Sequence, residues 1–171
     1  MLNRLPDYVD PIRLAMSGQI LTGQLPLSSL LRLAPYLANT QGMVNVTLGF
    51  ALEALPPARE VALVHGHIQT HLALICQRCL EPMQHDMDLR MTLGVIKTMA
   101  DADHLAPDCE PLLMEDGNIY PAAAVEDELI LALPLVPVHP ECQPQQGRKA
   151  QAGSAADVKK NPFAVLATLK K

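Results

Sequence analysis

Cysteine and histidine are the side chains here best suited to chemistry, and their spacing decides what that chemistry is. Cys76 and Cys79, in the run Cys76-Gln77-Arg78-Cys79, have the spacing at which one tight turn lets two thiolates reach a single tetrahedral ion. That is half of a zinc site. The remaining donors would have to come from Cys109, His139 or Cys142, which form no second close pair. Zinc is therefore conditional on Cys76, Cys79, His139 and Cys142 converging, and the cofactor expectation is otherwise none. Thioredoxin-like redox chemistry needs the pair at a helix N-terminus behind a strand, where the dipole lowers a thiol pKa. Strand patterns flank the pair on both sides here, which speaks against it. Arg78, between the thiols, is a candidate contact for a phosphate or carboxylate.

Other groups offer less. His65, His67 and His71 share one parity of a strand-like run, but no nearby Asp or Glu in sequence would orient them as ligands. Glu126, Asp127 and Glu128 are consecutive on a helical pattern, so their carboxylates diverge and read as a solvated, partner-facing surface. No glycine-rich phosphate loop, nucleophile elbow or His-Glu metalloprotease pattern occurs. The chain is expected not to be an enzyme. The alternative is a small metal- or thiol-dependent enzyme built on Cys76, Cys79, His139 and Cys142.

The elements that must position these residues follow from periodicity. Asp10 to Ala15 is a short segment ended by a turn at Ser17-Gly18, and Gln19 to Leu25 begins a strand. Pro26, Ser28 and Ser29 predict a helix start, with Leu27, Leu30, Leu31 and Leu37 along it. Val44, Val46, Leu48, Phe50 and Leu52 alternate with small or polar residues, which predicts a strand with one buried face. Glu60 to Cys76 predicts a long strand, with the Ala62, Val64, Ile68, Leu72 parity facing the core and a bend or bulge at Gly66. After the turn at Cys79 to Pro82, the run Met87 to Val95 returns as its antiparallel partner. Ala100 to Gly117 reads as an irregular acidic loop, and Ala122 to about Leu133 as a helix. Pro134, Pro137 and Pro140 then force Leu135 to Val138 into an extended strip, expected to pack on the core. The fold class is α+β, a largely antiparallel sheet with a few packed helices. Residues 1–142 form one domain, residues 143–160 a flexible linker, and residues 161–171 a helical tail with Asn161 at its cap and Phe163, Leu166 and Leu169 on one face.

Composition sets the outer limits. The 171 residues are 49% hydrophobic but only 3% aromatic, so the core is aliphatic and flat surfaces for base stacking are scarce. A net charge of −5 argues against a domain that holds nucleic acid by neutralising phosphates. The charge is also divided. No Lys or Arg lies between Lys97 and Arg148 while acidic residues accumulate, and Lys159, Lys160, Lys170 and Lys171 then make the tail basic. Arg4, Pro6, Asp7 and Asp10 interrupt any signal-peptide pattern at the start, so the protein is expected in the cytoplasm with no membrane partner.

Four stretches, in order along the chain, resemble the YceD family: Asp10-Pro11-Ile12-Arg13, Cys76-Gln77-Arg78-Cys79, Val125 to Pro134 continuing through Val136-Pro137-Val138-His139, and Asn161 to Leu166. The resemblance implies a large ribosomal RNA subunit accumulation protein, a non-catalytic accessory factor in synthesis, processing or stability of that RNA. It implies two kinds of partner, a ribosomal or rRNA-processing protein and the large-subunit rRNA precursor, contacted directly or indirectly. Arg78, Glu126, Asp127, Glu128, Asn161 and Phe163 are the candidate binding residues. Some branches of the family resemble metal proteins in having a second cysteine cluster after the Leu-Pro strip, where this chain has only His139 and Cys142.

Overall fold

A computed structural model describes residues 4–55 and 59–142. The linker and tail expected at 143–171 lie outside the described residues, as do the candidate binding residues Asn161 and Phe163. Five strands form one sheet in chain order: β1 (Ile20–Pro26), β2 (Met43–Leu55), β3 (Arg59–Ile75), β4 (Pro82–Ile96) and β5 (Glu110–Leu113). The first four pair antiparallel, while β5 runs parallel to β4. Two short helices, α1 (Pro11–Met16) and α2 (Pro121–Leu131), complete the α+β architecture read from the sequence. No helix among the described residues is long and apolar enough to cross a membrane.

Alternation decides which face is buried. Val44, Val46, Leu48 and Phe50 of β2 and Val64, Ile68 and Leu72 of β3 point to one side with Met87, Met91 and Leu93 of β4. They are covered by Leu27, Leu30 and Leu33, by Ile119, and by Val125 and Leu129 of α2. Asp10 caps α1, its Oδ1 accepting from the backbone N–H groups of Ile12 and Arg13 at 3.0 Å each, with Pro11 in the first turn where no N–H is needed.

Several expectations are corrected. The helix after Pro26 is replaced by two 3₁₀ turns, Leu27–Ser29 and Ala34–Tyr36. The buried residues are Leu27, Leu30 and Leu33, the latter two flanking the 3₁₀ turns, while Leu31 is exposed. Gly66 makes no bulge: the register runs through it unbroken, opposite Leu48 on one side and Met91 on the other. At the start of the supposed irregular loop, Thr98 and Asp101 form a reciprocal capping box on the 3₁₀ helix Met99–His104, and β5 follows within it. The first half of the strip after Pro134 is not packed on the core, for Leu135 is 94% exposed and Val136 61%, while Pro137 and Val138 are half-buried.

Candidate metal centre

β3 ends at Ile75, and the next six residues fold into a tight knuckle. The Leu80 N–H donates to the Cys76 carbonyl at 2.9 Å, and the Cys76 N–H donates to the Glu81 carbonyl at 2.9 Å. Leu80 closes the turn in the left-handed region with φ 64°, which is uncommon for a side chain branched beyond Cβ. This turn puts Cys76 and Cys79 side by side. The prolines after α2 carry the chain back alongside it, and the Gln77 N–H donates to the Pro137 carbonyl at 2.8 Å. A second turn, the Cys142 N–H donating to His139 O at 3.3 Å, faces His139 and Cys142 toward the knuckle.

The four donors converge. Their ligand atoms all lie within 4.8 Å of one another, with Cys76 Sγ 3.7 Å from Cys142 Sγ and Cys79 Sγ 3.4 Å from His139 Nδ1. Donors about 2.0–2.3 Å from a tetrahedral zinc ion stand roughly 3.4–3.8 Å apart, the range of the Cys76–Cys142 and Cys79–His139 separations. Cys76 is buried, and Cys79 and Cys142 are half-buried. Burial alone would push the Cys76 thiol up, but backbone N–H donors from Cys79, His139 and Arg78 and the Cys79 thiol hold it down at about 5. Cys142 is pushed up to about 11 by burial and by hydrogen bonding with Cys79 and Cys76. One sulfur is thus prepared as a thiolate, the form that binds metal.

The other candidates fall in different places. Arg78 is committed to the same clasp, its Nη1 donating to the Cys142 carbonyl at 2.6 Å. Cys109 takes no part. It lies beside Gly94 near the far end of β4, its thiol raised by burial and by Asp108, Glu53 and Glu110. The acidic triplet is split. Glu126 is buried, not solvated, and accepts from the backbone N–H groups of Arg32 at 2.6 Å and Leu33 at 3.1 Å and from Arg32 Nε at 3.0 Å. Asp127 pairs with the Arg32 guanidinium at the surface, and burial, then Glu110 and Asp127, raises the pKa of Glu128. Two of the three β3 histidines do have carboxylate partners, supplied across the strand: His67 Nε2 lies 2.7 Å from Asp88 and His71 Nδ1 2.6 Å from Asp86, while His65 Nδ1 lies 3.3 Å from Thr92 Oγ1. They form separate pairs along an exposed sheet face and do not converge on one ion.

This knuckle-and-turn arrangement lies within a stretch that matches a known family. Residues 64–170 match the family model described as large ribosomal RNA subunit accumulation protein YceD. A relative with that same description, from Haemophilus influenzae, is 36% identical over 172 residues, covering 98% of this chain and 97% of its own. The chain belongs to the YceD family. Both turns of the clasp and the whole of α2 fall inside the matched YceD region. No solved structure matches the chain. The family's description associates this protein with large-subunit rRNA accumulation, and the clasp is where its fold gathers reactive side chains.

Proposed function

We propose that this protein is a non-catalytic accessory factor in synthesis, processing or stability of large-subunit rRNA, acting in the cytoplasm, with Cys76, Cys79, His139 and Cys142 holding a structural zinc ion. The observation that carries the non-catalytic reading is the count of donors at the clasp. Catalytic zinc keeps one position open for water or substrate, whereas four protein donors gathered within 4.8 Å of one another would fill the ion's shell. The ion would tie the strip after α2 to the end of β3, two segments separated by 60 residues or more. This reading is preferred to a metal- or thiol-dependent enzyme on the same residues for that reason.

Contact with the ribosomal assembly through a protein, or through a small local RNA contact, suits the charge better than broad phosphate binding. The net charge of −5 disfavours a phosphate-neutralising surface, and Glu126 is taken up inside the fold. Asp127, Glu128 and the acidic segment from Asp101 to Asp116 are the groups suited to a basic ribosomal or processing protein. The reading is tested in the source organism by deleting the gene and comparing large- with small-subunit rRNA, with the full chain supplied again as control. A fall in the large-subunit species, restored by the full chain, is expected. An unchanged ratio sinks the proposal.

A further inference from the structure

Beside the clasp lies a groove of about 630 Å³ whose lining contains no charged side chain. Its walls include Tyr36 from the second 3₁₀ turn, Ile75 and Leu80 around the knuckle, Ile130 of α2, and Leu133 and Leu135 beyond it. Leu135 is 94% exposed, Leu80 71% and Tyr36 59%, so this is a contiguous apolar surface of the kind that marks an interaction site. The groove is not required by the metal-centre reading and is argued independently of it.

From this groove and the chain that continues past Cys142, we infer that its occupant is the protein's own segment Asn161 to Lys171. Three observations select that segment. The described chain stops at Cys142, whose Sγ is 3.7 Å from Cys76, and Gln77 of the same knuckle lines the groove, so the continuing chain starts at its edge. The eighteen residues 143–160 contain few apolar side chains and no aromatic one. Eighteen residues with random-coil statistics would span roughly 21–25 Å, enough to reach any part of a groove that begins where they do. Beyond them, Phe163, Leu166 and Leu169 repeat at a three-residue interval. Of the chain's two phenylalanines, Phe50 is buried in the core, and the other, Phe163, belongs to this segment.

Charge favours the same assignment. Lys159 and Lys160 precede the apolar segment, while Glu81 and Glu141 stand in the two turns that carry Cys79 and Cys142. Tethering matters as much as contacts. A short flexible linker gives an effective concentration on the order of millimolar, so a segment with only weak intrinsic affinity still occupies the groove ahead of dilute competitors.

The test uses the full chain with a photo-crosslinking phenylalanine analogue in place of Phe163, irradiated at low concentration and mapped by mass spectrometry. Intramolecular links to peptides containing Tyr36, Leu80 or Leu135 are expected. Leu135→Asp in the same chain should lower their yield roughly tenfold or more, since it places a charge where an apolar contact is buried. Because Leu135 is almost fully exposed, that variant keeps the fold, which circular dichroism verifies. Leu166→Asp, changing only the tail, should have the same effect. Links that join two copies would replace the inference with self-association. Absence of groove links, or links indifferent to both substitutions, would overturn it.

Discussion

Gly66 of β3 stands directly opposite Met91 of β4, and the Met91 side chain occupies the volume that a Cβ at residue 66 would take. A side chain at this position has no space. Gly66→Ala would overlap Met91 Cγ and Cε inside a close-packed core, so a loss of about 1–3 kcal/mol is expected. Pairing it with Met91→Val, which shortens the opposing side chain, should recover part of that loss. Urea denaturation of the two variants measures it, and additivity of the two losses would contradict the account.

The carboxylates of α2 should respond very differently to removal. Glu126→Ala leaves the N–H groups of Arg32 and Leu33 without their acceptor, one of them in a fully buried residue, and is expected to cost about 2–3 kcal/mol. Asp127→Ala removes an ion pair whose two side chains are each more than half exposed, and should cost under about 1 kcal/mol. Thermal unfolding of both variants distinguishes the two roles.

Metal removal should act locally. Chelation of the purified protein is expected to speed exchange of the Gln77 amide, whose acceptor is Pro137 O, while amides of Ile68 and its neighbours in the middle of β3 stay protected. Cys142→Ser should lower bound zinc from one equivalent, as read by elemental analysis. Equal zinc content in Cys142→Ser and the unaltered protein would remove Cys142 from the ligand set.

Titration of the exposed sheet face provides a pH prediction. The Gln69 side-chain amide, then His67, holds the Asp88 carboxyl below its ordinary value. A carboxylate with a depressed folded pKa contributes stability that is present above its unfolded pKa, about 3.9, and is lost as pH falls through the folded one. Gln69→Ala and His67→Ala should therefore each move the Asp88 midpoint upward. Carbon-detected NMR titration of the Asp88 carboxyl reads both shifts, and an unmoved midpoint in either variant would remove that residue from the assignment.

Local patterns made most of the fold legible in the sequence. Alternation placed β2 and the core-facing parity of β3, the Asp10-Pro11 pair started α1, and the acidic run beginning after Pro121 marked α2. What local pattern could not supply was partnership at long range. Asp86 and Asp88 meet His71 and His67 only through the β3–β4 register, and Glu126 lies 93 and 94 residues from the two N–H groups it satisfies. The parallel pairing of β5 was hidden for the same reason, although the Thr98–Asp101 capping box was available as a local signal. At the clasp, Cys76 and Cys79 announced half a site by spacing. Only the return of the chain past Pro137 showed that His139 and Cys142 face them.

The distance along the chain between the two halves of the clasp also sets a clock. His139 lies 60 residues after Cys79, and Cys142 lies 66 after Cys76. At about 5–20 residues per second, the second pair leaves the ribosome roughly 3–13 s after the first. During that interval a nascent chain presents two thiols and no closing partner. Completion of the proposed zinc shell would thus be a late event in the protein's own birth, possible only once α2 and the proline strip have been made.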